Sequence, residues 1–439
     1  MALNMLIVGS AGMGKSEFAR NLLLRIAPLY GFYFILDHGG SYIDLTRSFG
    51  VEPIIWRLDG HQRLNSLDTQ RQCWSPKHLA DNVGLFVRMT GVPAQEDQFR
   101  LRSAFLGKQL EQARNDFADD HLRRLSEPQR RAFIRQAMAV QQLAGKRKLS
   151  LAEAFLEWRN HPPAQSDLPN LTLDPDAESA LWEFESCHAQ VLRDLLFTTL
   201  LPEQQMRLSA FKEFLELNVA GPDRELARQL ALLLEPYCGN GVYASLFDRP
   251  SNISLTGRIV YFELGQLPES VADLMALIAY LIVNQIQSHL LSLPREVRKL
   301  LLLEELSRIL STMPDAEKWV RSLYEQMRKT NSLVCSILQQ FSRITDASLR
   351  AAIIGNTPTY VIFNSGATDL ALLAKEIGLS SVAQETILRY VRPAQIAGRK
   401  YSEFTYFHAD PNRPVCGTVR HYQFVPPTEA GPSVNSTKS

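Results

Sequence analysis

No cysteine in this 439-residue chain has a second cysteine near it: Cys73, Cys187, Cys238, Cys335 and Cys416 are odd in number and scattered. That spacing excludes a zinc ribbon and a disulfide framework and reads as reduced thiols. Neither sign of charge prevails, since 47 basic and 46 acidic side chains leave a net charge of +1. Such a balance argues against a surface coated for non-specific nucleic-acid binding and favours a protein partner over a polyanion. The one dense basic cluster, "AGKRKLS" at 144–150, is explained equally well as a solvated helix end. Long apolar runs are also missing. The most hydrophobic, Leu274–Val283, has ten residues, against the roughly 20 needed to span a bilayer, and is expected to be a buried core helix. Met5–Val8 is too short for a signal-peptide core. There is no internal repeat and no low-complexity core segment, so the sequence reads as a soluble globular chain.

What is present is concentrated near residue 10. "LIVGSAGMGKSEF" (6–18) carries the pattern GxxxxGK[ST] between an apolar stretch and an amphipathic one. Gly9, Gly12 and Gly14 permit backbone conformations that turn successive N–H groups onto phosphate oxygens. With Ser10, Ala11 and Met13 they form the expected cradle, and Glu17 follows it at the start of a helix. Lys15 is placed to reach the β- and γ-phosphates, and the Ser16 hydroxyl to ligate Mg²⁺. The helix beginning there directs its positive end at the anion. ATP and Mg²⁺ are therefore the expected ligands.

Around this loop the patterning is α/β with a mostly parallel sheet. Strand-like runs fall at 3–8, Phe32–Leu36 and Pro53–Arg57, then again at 257–267, 298–306, 331–338 and 357–365, separated by helix-compatible sequence. Between about Ser75 and Pro236 strand patterns vanish in favour of helical spacing, interrupted by the proline-rich "NHPPAQSDLPNLTLDP" at 160–175. The organisation expected is a core in two parts, 1–75 and 237–426, around an all-helical insertion at 76–236. The polar, proline-bearing stretch 427–439 is expected to be disordered.

A nucleotidase needs carboxylates at the end of a buried strand, and "KLLLLEELSRIL" supplies them: Glu304 to organise the metal and Glu305 to activate water. The alternative for both is a solvated acidic helix start. Asp37, ending the second strand, is expected beside the phosphate loop, either supporting Mg²⁺ or capping the turn in "DHGGSY". Gln339 and Gln340 end another strand, where an amide can sense the γ-phosphate or simply face solvent. Arg328, in "YEQMRKTNS", is the candidate for a charge-stabilising arginine supplied to a neighbouring subunit, with Arg308 and Arg343 as competitors.

Taken in order, "GSAGMGKS", "LDHGGSY" (36–42), "RLNSLD" (63–68), "YCGNGVYASLFD" (237–248), "IVYFELGQL", "LLLLEE", "RKTNS" and "QQ" resemble one family. It is the ATPase domain of the large conjugative-transfer ATPases of type IV secretion systems, the TraC/TrbE type, within the FtsK/HerA-like ring translocases. The resemblance runs from residue 3 to about 400. It implies a RecA-like P-loop core with a helical insertion, a hexamer that is monomeric as an isolated domain, and other secretion proteins as partners. It also implies ATP-driven work at the cytoplasmic face of a bacterial inner membrane, in pilus biogenesis or substrate transfer. Two departures stand out: Glu304 replaces the usual Asp, and the amino-terminal domain of such ATPases is not in this sequence, which reads as the carboxy-terminal portion of something longer. Two other readings remain open, a DNA-pumping translocase and a nucleotide-dependent structural subunit that hydrolyses poorly.

Overall fold

A computed structural model describes residues 4–57, 60–92, 97–160, 175–255, 257–267, 271–312, 316–396, 399–409 and 414–423. The tail expected at 427–439, nearly all of the 160–175 loop and the Arg328 side chain lie outside the described residues.

The chain divides into two compact units. The first comprises Met1–Trp56, Gly257–Ala276 and Leu293–Ser439. It holds one sheet built from β1 (Met5–Val8), β2 (Phe32–Asp37), β3 (Ile54–Ile55), β4 (Ile259–Glu263), β5 (Lys299–Leu303), β6 (Ser332–Leu338), β7 (Thr359–Ile362), β8 (Ala394–Ile396), β9 (Arg399–His408) and β10 (Val415–Tyr422). Their order is β10-β9-β7-β1-β6-β5-β2-β4-β3, parallel from β7 to β3, with β8 added antiparallel to β9. Both β2 and β5 are buried along their whole length, as a parallel strand covered on both faces must be.

Strands β6 and β5 lie between β1 and β2. One feature differs from the sequence expectation: the sheet continues past β7 through the antiparallel hairpin of β9 and β10, in a stretch where no strand was expected.

Helices α1 (Lys15–Ile26) and α2 (Ile43–Ser48) follow β1 and β2. The second unit, Arg57–Thr256 with Leu277–Ser292, is helical. It contains α3 (Pro76–Met89), α4 (Asp97–Arg124), α5 (Glu127–Arg147), α6 (Leu151–Asn160), α7 (Pro175–Cys187), α8 (Ala189–Leu196), α9 (Leu208–Leu217), α10 (Arg224–Leu234) and α11 (Ala244–Phe247). Its core is aromatic at several points; Phe86 of α3 stacks on Phe211 of α9 with ring centroids 5.5 Å apart. Arg114 of α4 is 2% exposed and donates to Asp194 of α8 at 2.6 Å.

The apolar run expected as a core helix is α12 (Ala272–Ser292). By length and composition it could cross a membrane, yet 61% of its most apolar window is buried inside the protein. Leu274, Ile278, Ile282, Ile286 and Leu290 recur along it at helical spacing and are all buried. The first unit is completed by α13 (Leu306–Thr312), α14 (Ala316–Gln326), α15 (Ala347–Gly355), α16 (Ala367–Ile377) and α17 (Ser381–Leu388).

Candidate active site

The loop after β1 takes its shape from glycine. Gly12 and Gly14 have φ of 77° and 96°, in the left-handed region that a side chain disfavours. Crowding adds to this at Gly14, where a Cβ would stand 2.9 Å from the Ser402 hydroxyl oxygen of β9. Behind the loop, the Ser10 amide donates to the Asn364 carbonyl at 2.8 Å, and the Asn364 side chain in turn donates to the carbonyls of Leu388 and Tyr390. Lys15 opens α1 and its Nζ donates to the Ser10 carbonyl at 2.9 Å. Burial lowers the Lys15 pKa, opposed by the carboxylates of Glu304 and Glu305. Met13 is buried, Ala11 is exposed, and Glu17 accepts from Asn21 one turn along α1 at 3.2 Å.

Glu304 is set by the sheet: its amide donates to the Leu36 carbonyl at 2.9 Å, extending the pairing of β5 with β2 by one residue. The Ser16 hydroxyl donates to Glu304 Oε1 at 2.9 Å. The other oxygen, Oε2, accepts from the hydroxyl of the fully buried Tyr42. Burial drives the Glu304 carboxyl up to about 7, against the help of its hydroxyl donors and Lys15. Glu305 follows with φ 52° and accepts from the Gln339 amide at 2.7 Å. Ser16, Glu304, Glu305, Gln339 and Lys15 are thus assembled around the carboxyl ends of β1, β5 and β6, where parallel sheets receive ligands.

Asp37 stands beside that group, close enough for its charge to help raise the Glu304 carboxyl pKa. Its carboxylate is buried and occupied by the amides of His38, Gly39 and Ser41 and by the Tyr261 hydroxyl, so it shapes the turn in "DHGGSY". His38 is pushed down to about 4, mainly by burial and then by the charge of Arg308. Gln340 is exposed and accepts from Arg343 Nε at 2.9 Å. Arg328 lies in the short 3-10 turn Met327–Thr330.

The donor set suits Mg²⁺. A buried, incompletely neutralised carboxylate 2.9 Å from a hydroxyl offers hard oxygen ligands. Among the described residues no group of three or more His, Cys, Asp or Glu converges on one point.

Sequence reasoning missed Tyr42, Tyr261 and Glu263 as members of this neighbourhood. Tyr42 closes the "LDHGGSY" stretch; nothing in its own surroundings in sequence links it to residue 304.

A family model described as the TraG P-loop domain matches residues 208–417. The TraG-type segment contains β5 with Glu304 and Glu305 and β6 with Gln339, and the phosphate loop lies upstream of it. Among solved structures, VirB4 of Thermoanaerobacter pseudethanolicus is similar over 97% of this chain and 90% of its own, at 14% identity and a TM-score of 0.59. The core, with its mostly parallel sheet and many helices, therefore shares the fold of VirB4. Weaker likenesses are to the plasmid coupling protein TrwB. The complex with ADP and Mg²⁺ has TM-score 0.45 at 14% identity, covering 96% of this chain and 86% of that one. The complex with the ATP analogue ADPNP has TM-score 0.48 at 14% identity, covering 96% and 85%. No curated protein matches the chain by sequence.

Proposed function

We propose that this chain binds and hydrolyses ATP as the motor subunit of a conjugative type IV secretion system, powering pilus biogenesis or substrate transfer. The observation that carries the reading is the pairing of Ser16 with Glu304 at 2.9 Å beside a Glu305 held by Gln339 at 2.7 Å. A phosphate loop, a metal-organising carboxylate and an oriented base are the parts such hydrolysis requires.

In this mechanism the backbone amides of the Gly9–Ser16 cradle bind the phosphates, and Lys15 exchanges the Ser10 carbonyl for the β- and γ-phosphate oxygens. Ser16 and Glu304 would hold Mg²⁺, which when bound would supply charge neutralisation at those phosphates. Glu305 accepts the proton of the attacking water, and the Gln339 amide fixes which of its oxygens is free to do so. An arginine from an adjacent copy completes the charge compensation, Arg328 being the candidate, in a ring of six at the cytoplasmic face of the inner membrane. Asp37 acts on its loop and not on the nucleotide.

Steady-state ATP hydrolysis measured against protein concentration tests this, with Lys15→Ala and Glu305→Gln as controls. Specific activity that rises with concentration and disappears in both variants is expected. A flat background insensitive to either substitution, with ATP binding intact, would favour the nucleotide-dependent structural subunit, a reading kept open by the Glu304–Glu305 pair.

A further inference from the structure

The loop from Asp37 to Tyr42 is shaped by two buried carboxylates. Asp37 Oδ1 accepts from the amides of His38 and Gly39 at 2.7 and 3.0 Å, and its Oδ2 from that of Ser41 at 2.7 Å. Glu263, ending β4, accepts the Gly40 amide at 2.7 Å on one oxygen and the Gly265 amide at 2.6 Å on the other. The Tyr261 hydroxyl donates to Asp37 Oδ2 at 2.9 Å and lies 3.3 Å from Glu263 Oε2, joining the two acids. The product of this network is the placement of one ring. Tyr42 is buried edge-on against Tyr261, with centroids 6.2 Å apart and planes at 82°, and its hydroxyl meets Glu304 Oε2.

A glutamate has one more rotatable bond than an aspartate, so its carboxylate needs a second anchor to hold one orientation. We propose that Tyr42 is that anchor. It is a positioning residue that holds Glu304 Oε2 so that Oε1 faces Ser16 and the metal, and Asp37 and Glu263 act through it by fixing the loop. The proposal rests on the reading of this site as one for Mg²⁺-nucleotide.

The test deletes only the hydroxyl. In Tyr42→Phe, calorimetric affinity for ADP in EDTA is expected to match wild type within about twofold, while the gain on adding Mg²⁺ shrinks by about 10–100-fold, the scale of losing an outer-shell partner. A Mg²⁺ gain equal to that of wild type overturns the proposal. Glu304→Asp provides a second variant, because the shorter side chain cannot span Ser16 and Tyr42 together. Its loss is expected to be non-additive with Tyr42→Phe, and losses that multiply would show that Tyr42 does not act through Glu304. A crystal structure of nucleotide-free Tyr42→Phe reads the geometry without ligand: Glu304 Oε1 is expected to leave Ser16, and a carboxylate still on Ser16 overturns the proposal. Wild type with no Mg²⁺ gain would defeat the nucleotide-site reading instead, with the crystal structure still deciding the role of Tyr42.

Discussion

The Gln339 amide nitrogen donates to Glu305 Oε1 at 2.7 Å, tying the residue after β6 to the second residue after β5. Glu305 adopts φ 52°, a conformation that costs a non-glycine residue about 1–2 kcal/mol, and the strain is maintained where a base would be aimed at water. Replacing Gln339 by Ala should lower kcat for ATP about tenfold with nucleotide affinity unchanged, as loss of an orienting partner does. Glu305→Gln should cost about 10²–10⁴ in kcat. Single-turnover hydrolysis alongside equilibrium ADP binding checks both, and a loss confined to affinity would contradict the assignment.

The raised Glu304 pKa predicts two opposite pH trends. In the metal-free protein the carboxyl titrates near 7, above its ordinary value of 4.5. Its contribution to stability is therefore complete below pH 4.5 and is lost as pH rises through 7. The melting temperature of Glu304→Gln relative to wild type should accordingly increase between pH 5 and pH 8. Mg²⁺ must displace the remaining proton, so Mg²⁺-dependent nucleotide affinity should fall by up to about tenfold per unit below pH 7. Melting curves and calorimetry at matched ionic strength measure the two trends.

Gly14→Ala should abolish nucleotide binding, because φ 96° and the Ser402 hydroxyl both oppose a methyl group there. The double variant Gly14→Ala with Ser402→Gly removes the clash but leaves a backbone penalty of about 1–2 kcal/mol. It should regain binding only partially, as fluorescent-nucleotide titration would show. Full recovery would mean that crowding alone explains the glycine.

In the helical unit, Asp194→Ala strands the buried Arg114 guanidinium, whose Nη1 lies 2.6 Å from Asp194. It should destabilise that unit by about 3–5 kcal/mol, whereas the double substitution Arg114→Met with Asp194→Leu should cost much less. Urea denaturation of the single and double variants separates the two cases.

The sequence made legible what is local. A glycine loop between an apolar strand and a helix announces phosphate chemistry, and a buried strand ending in Glu304 and Glu305 announces its acids. Asp37 was equally readable as a cap or a metal ligand, because its surroundings in sequence fit both; only the three amides and Tyr261 that occupy it separate them. Tyr42 and Glu263 escaped notice because their partners lie 262 and 223 residues away in sequence. The β9–β10 hairpin shows alternating polar and aromatic residues in "RKYSEFTYFH", but it breaks the strand–helix rhythm on which the parallel sheet was read.

One consequence of the sheet order concerns synthesis of the chain. Strand β1 has only two sheet neighbours, β6 and β7, and Met5 is in register with Cys335 and Thr359. The ribosome therefore releases the phosphate loop more than 300 residues before the strands that flank it. Until then β1 is an apolar segment with two open edges, the kind of surface that invites mispairing or chaperone capture. The edges that hold the phosphate loop in place are therefore supplied by the late half of the chain.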